Sequence, residues 1–170
     1  MPQPTADELE LAGAQTAINK SASWFYWIAA LSVINSLVIA FGGEFSFVVG
    51  LGVTLIIDGF AYGAVAEGAP EFVRYIALGM SLAIAGGFAL LAIAGRKRIL
   101  SLYIFGMILY AIDALIFLAF QDWVPVGFHM FALFGLSRVI SATKDYRRIE
   151  NKILKSAEAP AESEEPSPAL

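Results

Sequence analysis

The 170-residue chain contains no cysteine and a single histidine, His129. Without cysteine there can be no disulfide framework, thiolate zinc site, iron–sulfur ligation or cysteine nucleophile. A lone histidine excludes bis-histidine haem ligation within one chain. Charged residues are also scarce, at 15% against about 25% in ordinary soluble domains. No GxSxG, HExxH, Walker or glycine-rich dinucleotide sequence is present, so no enzyme class is indicated and no cofactor is expected. No basic stripe with interleaved aromatics occurs, which argues against a nucleic-acid partner. The net charge of −4 averages an acidic tail with a basic flank and says little about partners.

Apolar residues are abundant: 58% of the chain is hydrophobic and the mean hydropathy is +0.71. They fall into back-to-back segments at about 24–41, 45–66, 75–95, 99–120 and 124–142. A helix needs about 20 mostly apolar residues to cross the hydrocarbon core. The expected fold is therefore all-α, a polytopic transmembrane bundle of five spans, with the lipid bilayer as its first partner. Another membrane protein, or a second copy of this chain, would be the next.

The first 22 residues, with Asp7, Glu8 and Glu10, lack the positive start of a signal peptide. Leu9, Leu11, Ala14 and Ile18 form a faint helical stripe. It fits either a short N-terminal surface helix or an extension of the first span. Gly42-Gly43-Glu44 makes a tight turn between the first two segments, and Glu67 to Arg74 forms the longest internal loop. Residues 143–156 read as a basic cytoplasmic amphipathic stretch, and 157–170 as a disordered acidic tail.

Five crossings put Lys20 and Arg74 on one side. The other side carries Arg96, Lys97, Arg98, Lys144, Arg147, Arg148, Lys152 and Lys155. The positive-inside rule then predicts an outside N-terminus and a cytoplasmic C-terminus. Trp24, Trp27 and Trp123 would share the outer interface. The alternative is that the first two segments form one re-entrant unit, which gives four spans and moves the N-terminus inside.

Ionisable residues inside spans are functional-site candidates by default. Asp58, Asp113 and His129 are the deep ones. The helical rise places them about 12, 10 and 8 Å from the same membrane face. Two carboxylates and an imidazole at one depth could relay protons, bind a cation or hold a polar head group. They could equally hydrogen-bond between helices and fix their register. The set carries no metal-binding motif, so no metal is assigned. Gly50, Thr54 and Asp58 share a face, as do Gly106, Tyr110 and Asp113, and Ser32, Asn35 and Ser36. Such faces turn inward, away from lipid.

Gly59 and Gly63 form a GxxxG, and Gly79, Ala83 and Gly87 continue the four-residue spacing. Close packing within the bundle is the expectation; a dimerisation face is the alternative. Residues 34–50 faintly match 112–127, as an inverted repeat of helical hairpins would.

The strings LSVINS (31–36), GLGVT (50–54) with Asp58 four residues on, and FGMILYAIDALIFLAFQDWVPVGFHMFAL (105–133) resemble a family of small bacterial polytopic membrane proteins. The family is uncharacterised, so the resemblance implies a bacterial cytoplasmic membrane and no activity. These readings together imply a non-enzymatic accessory subunit or multispan scaffold. The alternatives are a small transporter or proton/cation-coupled protein using the three ionisable residues, and a membrane enzyme acting on lipid or quinone.

Overall fold

A computed structural model describes residues 3–43, 47 and 50–158, and all regular structure among them is helical. The elements are α1 (Ala6–Ala40), α2 (Gly52–Ala66), α3 (Phe72–Arg96), α4 (Leu100–Ala119) and α5 (Trp123–Glu158). Four of them, α1, α3, α4 and α5, are long and apolar enough to cross a membrane. The outer surface agrees with this. Ile76, Leu90, Phe105, Ile108, Ile112 and Leu115 are all more than half exposed, an apolar shell that water would not tolerate and lipid would. The chain is a helical membrane protein.

α1 begins with a capping box in which the Thr5 and Glu8 side chains satisfy each other's backbone N–H groups. Helices α1 to α4 all end alike. Gly42, Gly68, Arg98 and Gln121 take positive φ just past the helix. The next residue then donates back, as Gly43 N does to the Val38 carbonyl at 2.8 Å. This is the Schellman closure, which occupies carbonyls that lipid could not satisfy.

Side-chain contacts set the directions. Gln15 Nε2 donates to the Arg96 carbonyl, and Arg96 reaches Ser23 Oγ at 2.9 Å. The start of α1 therefore lies beside the end of α3, and the two helices are antiparallel. Tyr103 of α4 donates to the Leu136 carbonyl of α5, and Lys152 binds Asp7 at 2.7 Å. The start of α1 and the end of α5 consequently meet at one end of the bundle. Of eleven Lys and Arg residues, Arg74 alone lies toward the other end.

The second apolar segment, expected to cross at 45–66, does not do so as a helix. α2 has 15 residues, about 22 Å at the usual rise, against about 30 Å of hydrocarbon. Residues 45, 46, 48 and 49 of that segment lie outside the described residues. Phe47 bonds to Asn35 through both its N–H and its C=O, and the Leu51 N–H donates to Ser32 Oγ. Phe47 and Leu51 thus stand beside α1 at the levels of Asn35 and Ser32. There α2 begins, and it climbs until Ala61 and Tyr62 stand beside Ile39 and Ala40. α2 is re-entrant: it starts inside the bundle and leaves by the end through which the chain came in.

This corrects several expectations. Among the described residues four helices, not five, are long and apolar enough to cross, and the Lys152–Asp7 contact puts the start of α1 and the end of α5 at the same end of the bundle. Trp123 starts α5 at one end, whereas Trp24 packs edge-on against Phe131 lower down, so the tryptophans form no single belt. α1 and α4 run the same way, which removes the inverted repeat. The N-terminal segment is not a separate helix but the first turns of α1. The basic stretch 143–156 likewise continues α5 without a break. The two projecting halves pack together through the buried Ile18 and half-buried Tyr146. The exposed Lys152 is held above the ordinary lysine range, chiefly by its hydrogen bond to Asp7. Of the tail, residues 159–170 lie outside the described residues.

The core is aromatic. The Phe25 ring meets Phe88 and Tyr103 edge-on at 5.8 and 5.1 Å, and Phe88 leads on to Tyr110 at 6.3 Å. Without a hydrophobic driving force between helices in lipid, such close packing and the interhelical hydrogen bonds hold the bundle together.

Candidate functional site

Asp113 and His129, 16 residues apart on α4 and α5, meet at the start of α2. Asp113 Oδ2 accepts the Gly52 N–H at 2.8 Å, and Oδ1 accepts the Val53 N–H at 2.9 Å. These are orphan donors of the first turn of a helix. The carboxylate therefore caps α2 from a different helix and sits at the positive end of its dipole. His129 Nε2 lies 3.0 Å from Asp113 Oδ2.

The proton count follows from the partners. His129 Nδ1 is 2.8 Å from the Pro125 carbonyl oxygen, which can only accept, so Nδ1 carries a hydrogen. One further proton then lies between Nε2 and Oδ2, because two lone pairs would repel at that distance. The pair is an imidazolium with a carboxylate, or an imidazole with a carboxylic acid. Either way its net charge is zero, which suits a group that is buried in a bilayer. Tyr110 stacks on the imidazole at 4.3 Å and 18°, and Phe117 tilts against it at 5.1 Å.

Four further candidate residues organise the same region. Asn35 and Ser32 hold the returning chain, as described above. Thr54 Oγ1 donates to the Leu51 carbonyl, closing the first turn of α2. The Tyr110 hydroxyl is buried with no partner among the described residues.

Asp58 does not join them. It lies higher on α2, near the end of α1, and accepts from Ser81 of α3 at 2.9 Å. Its Oδ2 is buried with no partner among the described residues, as is Arg74 Nε. Both residues line one cavity of about 10 Å³, about what a single water occupies. The expected trio at one depth is therefore a pair and a separate carboxylate. Among the described residues no three metal-ligating side chains converge.

The small-residue stripes face outward. A Cβ added at Gly59, Gly63, Gly79 or Gly87 would meet nothing within 4 Å, and Ala83 is exposed. The expectation that they mediate packing within the bundle is overturned. The close approaches belong to other glycines. A Cβ on Gly52 would stand 2.8 Å from the Phe117 ring, and one on Gly95 2.6 Å from Tyr103; on Gly50 it would strike Asn35. Of the basic residues, Arg96 and Arg98 lie over the Tyr26 and Tyr146 rings at 4.8 and 3.9 Å. Lys97, Arg147 and Arg148 are exposed.

The sequence reading missed Ser81 and the amides of Gly52 and Val53. Ser81 carried a signal, as a polar residue in mid-span. The amides carried none, because a helix start inside an apolar run has no composition of its own. No family model, curated protein or solved structure matches the chain.

Proposed function

We propose that the chain is a multi-pass protein of a bacterial cytoplasmic membrane, with both termini in the cytoplasm. In this reading it does no chemistry of its own and serves as an accessory subunit or scaffold for another membrane protein. The observation that carries the reading is the state of Asp113. Its two oxygens are engaged by Gly52, Val53 and His129, so the most suggestive polar group of the bundle works as an internal cap. The outward glycines of α2 and α3 offer a partner helix close backbone approach. The orientation rests on ten cationic side chains toward the end that holds the termini, against Arg74 at the other. The bacterial assignment rests on the resemblance of residues 24–142 to small polytopic proteins.

The test is purification in mild detergent after crosslinking. A stoichiometric partner, or a second copy, is expected. Gly79→Leu with Gly87→Leu should abolish the association, and Asp113→Asn should preserve it. A chain that runs alone after crosslinking would sink the scaffold reading.

One observation favours a second reading, a proton- or cation-coupled protein: the unpartnered Oδ2 of Asp58 beside Arg74. Under that reading Asp58→Asn removes a pH-dependent ion flux in proteoliposomes. A scaffold shows no flux to remove.

A further inference from the structure

The seam between α1 and α5 opens into a groove of about 600 Å³ near the end that holds the termini. Its walls change character with depth. Phe131 and Phe134 line its upper part, Trp24 its floor, and Lys20, Arg138 and Asp145 its lower part. Phe131 is eight residues into α5, about 12 Å from its start, whereas Arg138 is about 22 Å and Asp145 about 33 Å from it. With about 30 Å of hydrocarbon, the aromatic walls lie within the core, the Arg138 backbone about 8 Å inside its boundary, near enough for the long side chain to reach the head groups, and Asp145 just beyond it.

Neither Lys20 nor Arg138 forms an ion pair with a described residue. The Arg138 guanidinium rests over the Phe134 ring at 5.1 Å, which leaves its donors available. A second, apolar groove of about 400 Å³ leaves the same Lys20 on the other side of Trp24 and rises along Trp27 to Leu31. Two apolar channels thus diverge from one cationic foot.

We propose that this seam binds one anionic diacyl phospholipid of the leaflet on the termini side. Lys20 and Arg138 hold the phosphate. One acyl chain lies along Phe131 and Phe134, and the other along Trp27 and Leu31. The two cations exceed the single acid, Asp145, so an anionic head group is preferred over a zwitterionic one. Basic pockets between helices at the cytoplasmic boundary recognise lipid head groups in this way.

The 170-residue chain is purified in detergent with Trp27→Phe and Trp123→Phe, which leaves Trp24 as the only indole. It is titrated with phosphatidylglycerol or phosphatidylcholine carrying brominated acyl chains, and quenching of Trp24 is read. Saturable quenching is expected, with phosphatidylglycerol binding about tenfold or more tightly than phosphatidylcholine. Lys20→Gln with Arg138→Gln should erase that preference. Lys144→Gln with Lys155→Gln, equal in charge but outside the groove, should keep it. Equal binding of the two lipids would overturn the proposal. So would equal losses from both double variants, or displacement of the lipid by millimolar inorganic phosphate, which would assign the site to a free anion.

Discussion

Asp113 Oδ2 accepts the Gly52 N–H at 2.8 Å, so a helix that begins inside the bundle takes its cap from another helix. Water cannot reach an orphan N–H there, and each unsatisfied donor in hydrocarbon costs several kcal/mol. Asp113→Ala strips the cap and leaves the His129 imidazole unpaired. A loss of about 3 kcal/mol or more is expected, read by equilibrium unfolding in mixed micelles. Asp113→Asn keeps one acceptor oxygen and should lose about half as much. Equal stability of the alanine variant and the parent chain would dismiss the capping role.

The absence of cysteine makes the topology directly testable by single-cysteine labelling. Thr16→Cys, Glu67→Cys, Asp122→Cys and Ser156→Cys sample both ends of the bundle. With α2 re-entrant, positions 16 and 156 should label from one side, and 67 and 122 from the other. Thr16 decides the matter. Five crossings would put it with 67 and 122.

Asn35 tests how the returning chain is held. Its amide bonds both the N–H and the C=O of Phe47, while Ser32 Oγ accepts the Leu51 N–H. Asn35→Ala and Ser32→Ala should each destabilise by about 1–3 kcal/mol. The double variant should lose less than the sum of the two, because both anchor one segment. Faster hydrogen exchange at the first amides of α2 should accompany each loss. Additive losses with unchanged exchange would show that the two anchors act separately.

Much of the polar centre was legible in the sequence, because a charged residue in an apolar run has few affordable places. Asp113, His129, Asn35 and Thr54 all proved to face inward around one helix start. Asp58 misled because its depth was counted along a helix assumed to cross. Hydropathy cannot distinguish a crossing helix from a dipping chain followed by a short helix; both are equally apolar. Before α2 begins, Phe47 and Leu51 are held by Asn35 and Ser32, 12 and 19 residues earlier. The same count misplaced Lys20, whose transfer to the other end makes the charge asymmetry steeper. Periodicity put the glycines on common faces correctly but could not say which way those faces pointed.

That last distinction supplies a prediction with opposite signs at two sets of glycines. Asn35 is fixed by two hydrogen bonds to Phe47, so it cannot retreat from a methyl group on Gly50. The Phe117 ring beside Gly52 is itself packed against His129. Gly50→Ala and Gly52→Ala should therefore each cost about 1–3 kcal/mol through overpacking. Gly59→Ala, Gly63→Ala, Gly79→Ala and Gly87→Ala add a methyl to open space. They remove backbone freedom from the unfolded chain, so they should be neutral or stabilising, by up to about 1 kcal/mol. Unfolding midpoints of the six single variants in monodisperse micelles measure both sets. If the outward glycines lost stability while Gly50 and Gly52 tolerated alanine, the helix faces would be assigned the wrong way round, and α2 could not begin where Asp113 caps it.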